Sequence, residues 1–503
     1  MAAPIVSKFQ LNPRPVQVFG GCGVQLNQHS LAQVTLDALP KGSSKDADAL
    51  EALRADLHAK VRRLAPQVVR IFFNNDQQGV PFDEKKPRTA INKPQGPGQK
   101  NRWASFVDTV KLADEIGALI NITWQGGSLQ SAEIRKTAMT RFANALQLLV
   151  DDRVENLRWV TVRNEPNTAP GRLKPADLGD AYRRLDRLLV ARGLRKQIAL
   201  MGGDLKEGSR ESSSPINQKL WFEAFARHMP DVVFDSISTH IYWNYNSPKR
   251  FQTRLDDVRH FLNALSTKDG DNQQVHYHLP VYVTEFGVRG PDFNTKGVID
   301  PGNFHGPGGP KDRTPIHKTT IAPFHAAWFQ ICALQAGYAG FIKWDCAFGI
   351  YDVKAKTERA YYAIGKPDPS SPTVWSLCPM YHLLRLFTAT TARGWNVHAF
   401  TTDSTTKHLV AFRAQGMTKT VIGLDQGGSL ADRAPAKPAS YRIDGLRPGG
   451  RYKLVVWNKG GKGGLLVEPG TVPVSSKGVA TIHVAMRAVF ALTSKELPSD
   501  LGG

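Results

Sequence analysis

The strongest constraint on this chain is an alternation that runs through its first three quarters. Short apolar runs at 16–19, 68–73, 118–124, 157–162, 197–201, 232–239, 279–284 and 338–344 read as strands. Between them lie segments with apolar residues at helical spacing. Leu50, Leu53, Leu57, Val61 and Leu64 step by three, four, four and three, which makes one stripe on a helix over 46–64. Further helices are predicted around 106–116, 131–150, 175–192, 216–229, 255–265, 322–337 and 377–388. Pro175 sits just inside one helix start and Gly193 just past its end, positions that those residues favour. Near-continuous apolar strands between amphipathic helices require a parallel sheet covered on both faces. Eight such units in about 370 residues predict an α/β fold, a (β/α)8 TIM barrel with long loops. An open doubly wound sheet is the rival, but it more often has fewer strands and an early nucleotide loop. Gly20-Gly21-Cys22-Gly23 is not a dinucleotide fingerprint, and no matching helix start follows it.

After about Thr391 the period changes. Runs at 397–400, 408–412, 420–424, 441–443, 452–457, 472–474, 479–484 and 488–492 read as strands, joined by Gly- and Pro-rich turns. The predicted organisation is a barrel over 1–390 and a C-terminal antiparallel β-sandwich over 391–503.

Composition excludes several classes. No apolar stretch approaches the ~18 residues that a spanning helix needs. The first residues lack the charged and apolar regions of a signal peptide. The chain therefore reads as a secreted or periplasmic protein in mature form, or as a cytoplasmic one. Cys22, Cys332, Cys346 and Cys378 form no C-x-x-C pair, and the histidines show no H-E-x-x-H spacing, so no metal is expected. Net charge is +21, but the basic residues are dispersed rather than blocked. That pattern fits a soluble surface better than a nucleic-acid track, and it keeps an acidic glycan among the candidate partners.

In a (β/α)8 barrel the reacting groups sit at the C-terminal ends of the strands. The residues at those positions are Arg70 with Phe72 and Phe73, Trp124, Asn164 with Glu165, Asp204, His240 with Tyr242, Glu285, and Trp344. Two carboxylates, donors and tryptophans suit sugar chemistry. Glycosidic cleavage needs one carboxyl to protonate the leaving oxygen and a second on the opposite side of the ring. Asp204, in a Gly-Gly-Asp run, reads more readily as a turn residue.

With the Asn-Glu-Pro-Asn run 164–167, the Ser-Thr-His-Ile-Tyr run 238–242 and the Thr284-Glu285 pair in this strand order, the chain resembles clan A glycoside hydrolases. It is most like family 39, with families 5, 30 and 79 sharing the pattern. Arg163 stands where an aromatic residue is usual, and Phe286 where Trp is usual. The resemblance implies a retaining enzyme without metal or organic cofactor. Glu285 would be the nucleophile and Glu165 the acid/base, with its pKa raised by burial and by the neighbouring charge. Arg70 would keep Glu285 ionised, Tyr242 would hold the nucleophile's oxygen, and Asn164 would bind the 2-hydroxyl. His240 would orient Glu165 or a hydroxyl, while Trp124 and Trp344 would stack on sugar. Long loops after the second, seventh and eighth strands favour a pocket and exo-action on chain ends. An endo-glycanase and a non-catalytic carbohydrate-binding protein are the alternatives.

Overall fold

The computed structural model describes residues 6–26, 29–43, 46–73, 102–125, 129–168, 173–206, 221–222, 234–244, 249–266, 279–289, 318–349, 362–427, 438–458 and 464–501. Among these, eight parallel strands close into a barrel. They are β3 (Gly21–Gln25), β4 (Val68–Phe73), β5 (Leu119–Trp124), β6 (Leu157–Thr161), β7 (Ala199–Leu205), β8 (Ser236–Asn244), β9 (Val281–Arg289) and β10 (Gly340–Lys343), with β10 returning to β3. The expected barrel is thus observed. The predicted helix at 216–229 and the long loops at 74–100 and 289–315 fall almost wholly outside the described residues, as do residues 350–361 of the loop at 345–372.

Strand parity sorts the side chains. On β4, Val69, Ile71 and Phe73 join the large core between strands and helices, while Val68 belongs to a separate cluster inside the barrel with Trp159, Met201, Tyr282 and Ile342. Arg70 and Phe72 share the parity of Val68 and so face the lumen. Helices supply the outer wall. Ala47–Leu64 starts at Asp46, whose carboxylate accepts from the Ala49 N–H at 2.7 Å, and buries Leu53, Leu57, Val61 and Leu64.

The first barrel strand departs from expectation. The glycine run read as the end of a strand is itself the strand, because the barrel closes tightly there. A Cβ at Gly23 would lie 1.9 Å from the Val68 carbonyl oxygen. The segment before it leaves the barrel altogether. β1 (Val6–Leu11) and β2 (Gln17–Val18) pair with strands from the other end of the chain.

That second sheet also contains β13 (Asn396–Thr402), β14 (Lys407–Ala414), β15 (Met417–Asp425), β16 (Pro438–Ile443), β17 (Arg451–Trp457), β18 (Leu466–Pro473), β19 (Ala480–Ala485) and β20 (Val489–Thr493). A small ribbon, β11 (Ile364–Gly365) with β12 (Ser376–Leu377), precedes it. The path runs β18-β17-β20-β15-β14-β13-β1-β16-β19. It folds over on itself: Tyr441 on β16 and Phe490 on β20 are far apart along the path, yet their ring centroids are 4.9 Å apart. The mostly antiparallel sandwich is therefore observed with β1 inserted between β13 and β16. The pairing of β1 is antiparallel to β13 and parallel to β16.

Parity also joins the two units. Val410 and Phe412 face the barrel-side core, while Leu409 and Ala411 face the sandwich interior. The helices Ile321–Gln335 and Pro379–Thr390 lie between, and both are buried along nearly their whole length. Among the described residues, no helix is long and apolar enough to cross a membrane.

Candidate active site

The C-terminal mouth of the barrel gathers polar side chains from seven of its strands. Arg70, completely buried, is the central cation. Its Nε donates to Thr123 Oγ1 at 3.0 Å, and its Nη1 to Gln25 Oε1 and Glu285 Oε2, each at 3.1 Å. Its Nη2 donates to Asn164 Oδ1 and to Asp204 Oδ2, each at 2.6 Å. All five guanidinium N–H groups thus have acceptors, which is what makes a fully buried arginine tenable. Burial alone would lower its pKa, but Asp204 and Glu285 outweigh that and hold it above the ordinary arginine value.

Glu285 is fixed at both oxygens. Arg70 holds Oε2, and the Tyr242 hydroxyl makes a short hydrogen bond to Oε1. The strand register explains how a residue following Thr284 can face the same way. Pairing between β8 and β9 slips between Thr239 and His240, which pair with Val283 and Glu285. This bulge leaves Thr284 unpaired and turns both Thr284 and Glu285 inward. Phe286 then returns to the outer core.

Glu165 follows β6 with a positive φ of 43°, rare for a residue with a Cβ. Its N–H donates to the Asp204 carbonyl at 3.0 Å, and its Oε1 lies 3.2 Å from His240 Nδ1. His240 Nδ1 is also 3.5 Å from Glu285 Oε2, while its Nε2 is 3.6 Å from Asp204 Oδ1. Burial favours neutral imidazole, yet Glu285, Asp204 and Glu165 outweigh it and raise the His240 pKa to about 10.

The structure therefore brings Arg70, Asn164, Glu165, His240, Tyr242 and Glu285 into one bonded cluster. Trp344, half-buried at the end of β10, presents its ring 5.5 Å from that of Phe72, over which Arg70 also lies. Trp124 is different. It pairs with Phe73 and shares its outward parity, and its ring packs 5.5 Å from both Phe73 and Phe142. The expected sugar-stacking role is replaced by a core contact, since parity turns it away from the lumen.

Asp204, read from sequence as a turn residue, is completely buried at the centre of the cluster. Gly203 and Asp204 form a left-handed irregularity in β7, with φ of 126° and 53°. A Cβ at Gly203 would meet the Ser238 carbonyl oxygen at 2.1 Å, so only glycine fits. The Asp204 carboxylate accepts from Ser238 Oγ at 2.8 Å, from Thr284 Oγ1 at 2.5 Å and from Arg70. Although burial favours the neutral acid, Arg70, His240 and Thr284 hold its carboxyl far below the usual carboxylate range. Phe72 and Gln25 also join the site, and alternation from Arg70 was the signal available for Phe72. Arg163 is half-buried beside Asn164, and burial keeps its pKa below the ordinary arginine value.

One donor atom each from Glu165, His240 and Glu285 lies within 4.8 Å of the others, a spacing that could suit a cation. The chemistry fits poorly. A protonated imidazole has no lone pair to give, and the Arg70 charge already occupies Glu285.

No protein-family model matches the chain, and no curated protein matches it. Solved structures do share its fold. The catalytic domain of the family 30 xylanase C from Talaromyces cellulolyticus superposes with a TM-score of 0.58 at 10% identity, covering 97% of this chain and 100% of that one. A family 39 glycoside hydrolase from Bacteroides cellulosilyticus gives 0.52 at 12% identity, over 96% and 81%. A 4-O-α-L-rhamnosyl-β-D-glucuronidase from Fusarium oxysporum gives 0.50 at 13%, over 98% of each chain. The barrel-plus-sandwich architecture is thus the one seen in families 30 and 39 of the glycoside hydrolases.

Proposed function

We propose that the protein is a retaining glycosidase in which Glu285 attacks the anomeric carbon and Glu165 serves as acid and then base. The observation that carries this reading is the pairing of the two carboxyl groups across His240. An oxygen of each lies within 4.8 Å of the other. Retaining enzymes hold their carboxyl groups about 5–5.5 Å apart, whereas inverting enzymes leave ~6.5–9.5 Å for a water. Glu285, clamped by Arg70 and Tyr242, suits a nucleophile that stays ionised and oriented. Glu165, partly exposed and in a left-handed conformation just past the end of β6, suits a group that trades its proton with leaving group and water. Asn164 presents its amide nitrogen, since its oxygen faces a guanidinium that can only donate.

The reading extends to exo-action on oligosaccharide ends, supported by the long loop segments after β4, β9 and β10. Net charge keeps an acidic glycan among the candidate substrates, and the fold-sharing glucuronidase is named for one such sugar. A screen of aryl α- and β-glycosides with pentose, hexose and uronic acid heads tests the activity. Hydrolysis with retained anomeric configuration is expected. Glu285→Gln should abolish turnover while keeping ligand affinity, and azide should rescue Glu165→Ala. Inverted product would sink the mechanism, and no hydrolysis across the panel would favour a carbohydrate-binding protein. Early digestion of a polymer to mono- or disaccharides only is expected, and a ladder of intermediates would mean endo-action.

A further inference from the structure

In the state in which Glu165 carries the proton it must deliver and His240 is an imidazolium, the charges of the cluster balance only with Asp204. With Glu165 protonated, Arg70 and His240 contribute two positive charges. Glu285 supplies one negative charge, and a buried site with net positive charge is costly. Asp204 closes the balance, and it does so from a position behind the reacting groups. Its carboxylate is enclosed by Arg70, Thr123, Ser238, Thr284 and His240, with the Thr123 hydroxyl 3.3 Å away. Its backbone carbonyl holds the Glu165 N–H.

We propose that Asp204 is the positioning residue of this site: it never touches the sugar, but as fixed counter-charge it keeps His240 an imidazolium facing Glu165 and Glu285. The proposal deepens the glycosidase reading and rests on it for its catalytic consequence. When Glu165 gives its proton to the leaving oxygen, the new carboxylate finds His240 Nδ1–H at 3.2 Å, already cationic. No group must reorganise at that moment, which is how fixed charges lower a barrier. The charged groups that face His240 are Glu165 after β6, Asp204 on β7 and Glu285 on β9, while Arg70 on β4 and Tyr242 on its own strand bond Glu285 beside it. Behind Asp204, Tyr182 donates its hydroxyl proton to the Met201 carbonyl at 2.7 Å. Removing the Asp204 charge therefore leaves Arg70 repelling the imidazolium and one fewer anion attracting it.

The experiment is an NMR titration of ¹⁵N-histidine-labelled protein, with the His240 signal assigned by its loss in His240→Gln. Wild-type His240 should remain protonated beyond pH 8. In Asp204→Asn its titration should fall by about 1–3 pH units. On whichever glycoside is cleaved, kcat should fall ~10–100-fold with KM less affected, and the alkaline limb of the pH profile should move to lower pH. Thr284→Ala with Ser238→Ala removes two hydroxyls that orient the carboxylate and keeps the charge. It should shift the His240 titration in the same direction by less, and it decides the matter if Asp204→Asn does not fold. An unchanged His240 titration in a folded Asp204→Asn, or in the hydroxyl variant where that one fails to fold, overturns the proposal even if the protein hydrolyses glycosides. A shifted titration without any hydrolysis upholds Asp204's hold on His240 and overturns the glycosidase reading instead.

Discussion

The side-chain oxygen of Asn164 accepts a 2.6 Å hydrogen bond from Arg70 Nη2, so the amide nitrogen of Asn164 has a fixed heading into the barrel mouth. Arg70 cannot accept, because a guanidinium carries only donors, and its other N–H groups hold it in place on Thr123, Gln25, Glu285 and Asp204. Asn164→Ala should therefore remove one preoriented donor and lower kcat by about 10²–10³-fold. Stability should also fall by about 1–3 kcal/mol, since Arg70 Nη2 keeps Asp204 but one of its buried N–H groups loses its acceptor. Steady-state kinetics beside a thermal melt makes the check; a larger loss of stability would reassign Asn164 to a structural role.

The second prediction concerns pH. The folded pKa of His240 is raised to about 10, against roughly 6.5 in an unfolded chain. A raised pKa means that the histidine's stabilising contribution is complete below about pH 6.5 and is lost as pH climbs through about 10. Denaturant unfolding at fixed pH values from 6 to 10 should show stability declining across that window more steeply in wild type than in His240→Asn. Parallel curves would contradict it. Asp204 acts in the opposite direction. Its depressed pKa stabilises the fold above the ordinary carboxylate range and yields as the solution becomes strongly acidic.

The two tryptophans should separate cleanly. Trp124 lies in the outer core against Phe73 and Phe142, so Trp124→Ala should cost about 3–5 kcal/mol of stability while KM stays near wild type. Trp344 stands half-buried at the mouth beside Phe72, so Trp344→Ala should weaken substrate binding with a smaller loss of stability. Unfolding curves and KM values for the pair make the comparison, and a KM effect at Trp124 would restore it to the sugar site.

The fourth prediction is about autonomy. A fragment of residues 391–503 carries every strand of the sandwich except β1 and β2, which pair with β13 and β16. Expressed alone it should be poorly folded, with open edges on β13 and β16, and fusion of residues 1–20 should rescue it. Far-ultraviolet circular dichroism and sedimentation would report both outcomes. A stable, monomeric 391–503 would show that β1 is dispensable.

Much of this molecule is legible in its residues, and the gaps have physical causes. Near-continuous apolar runs and helical stripes are local properties, so seven of the eight barrel strands and most helices can be read directly. Arg70, Glu165, His240 and Glu285 stand at strand ends, where polar residues interrupt apolar runs. Trp124 reads as a site residue when only its position at a strand end is weighed; its neighbour Thr123 bonds Arg70 in the lumen, so alternation along the strand turns Trp124 outward. Asp204 was hidden by a bulge, since Gly203-Asp204 looks like a turn and only the contact with Ser238 shows why glycine is required. Nothing local in Val6–Leu11 says that its partners lie nearly a full chain length away.

That last pairing has a consequence for how the protein is made. β1 leaves the ribosome ahead of the barrel, but the strand it pairs with begins 396 − 11 = 385 residues after it ends. At about 5–20 residues per second, β1 waits roughly 20–80 s with both edges unpaired while the whole barrel is synthesised. Barrel closure cannot be separated from that wait, because β1 leads within ten residues into β3, the strand that meets β10 to close the ring. A strand made before the barrel is therefore stitched in only by strands made after it, and a translation pause near β13 would leave a barrel trailing an open strand for other chains to find.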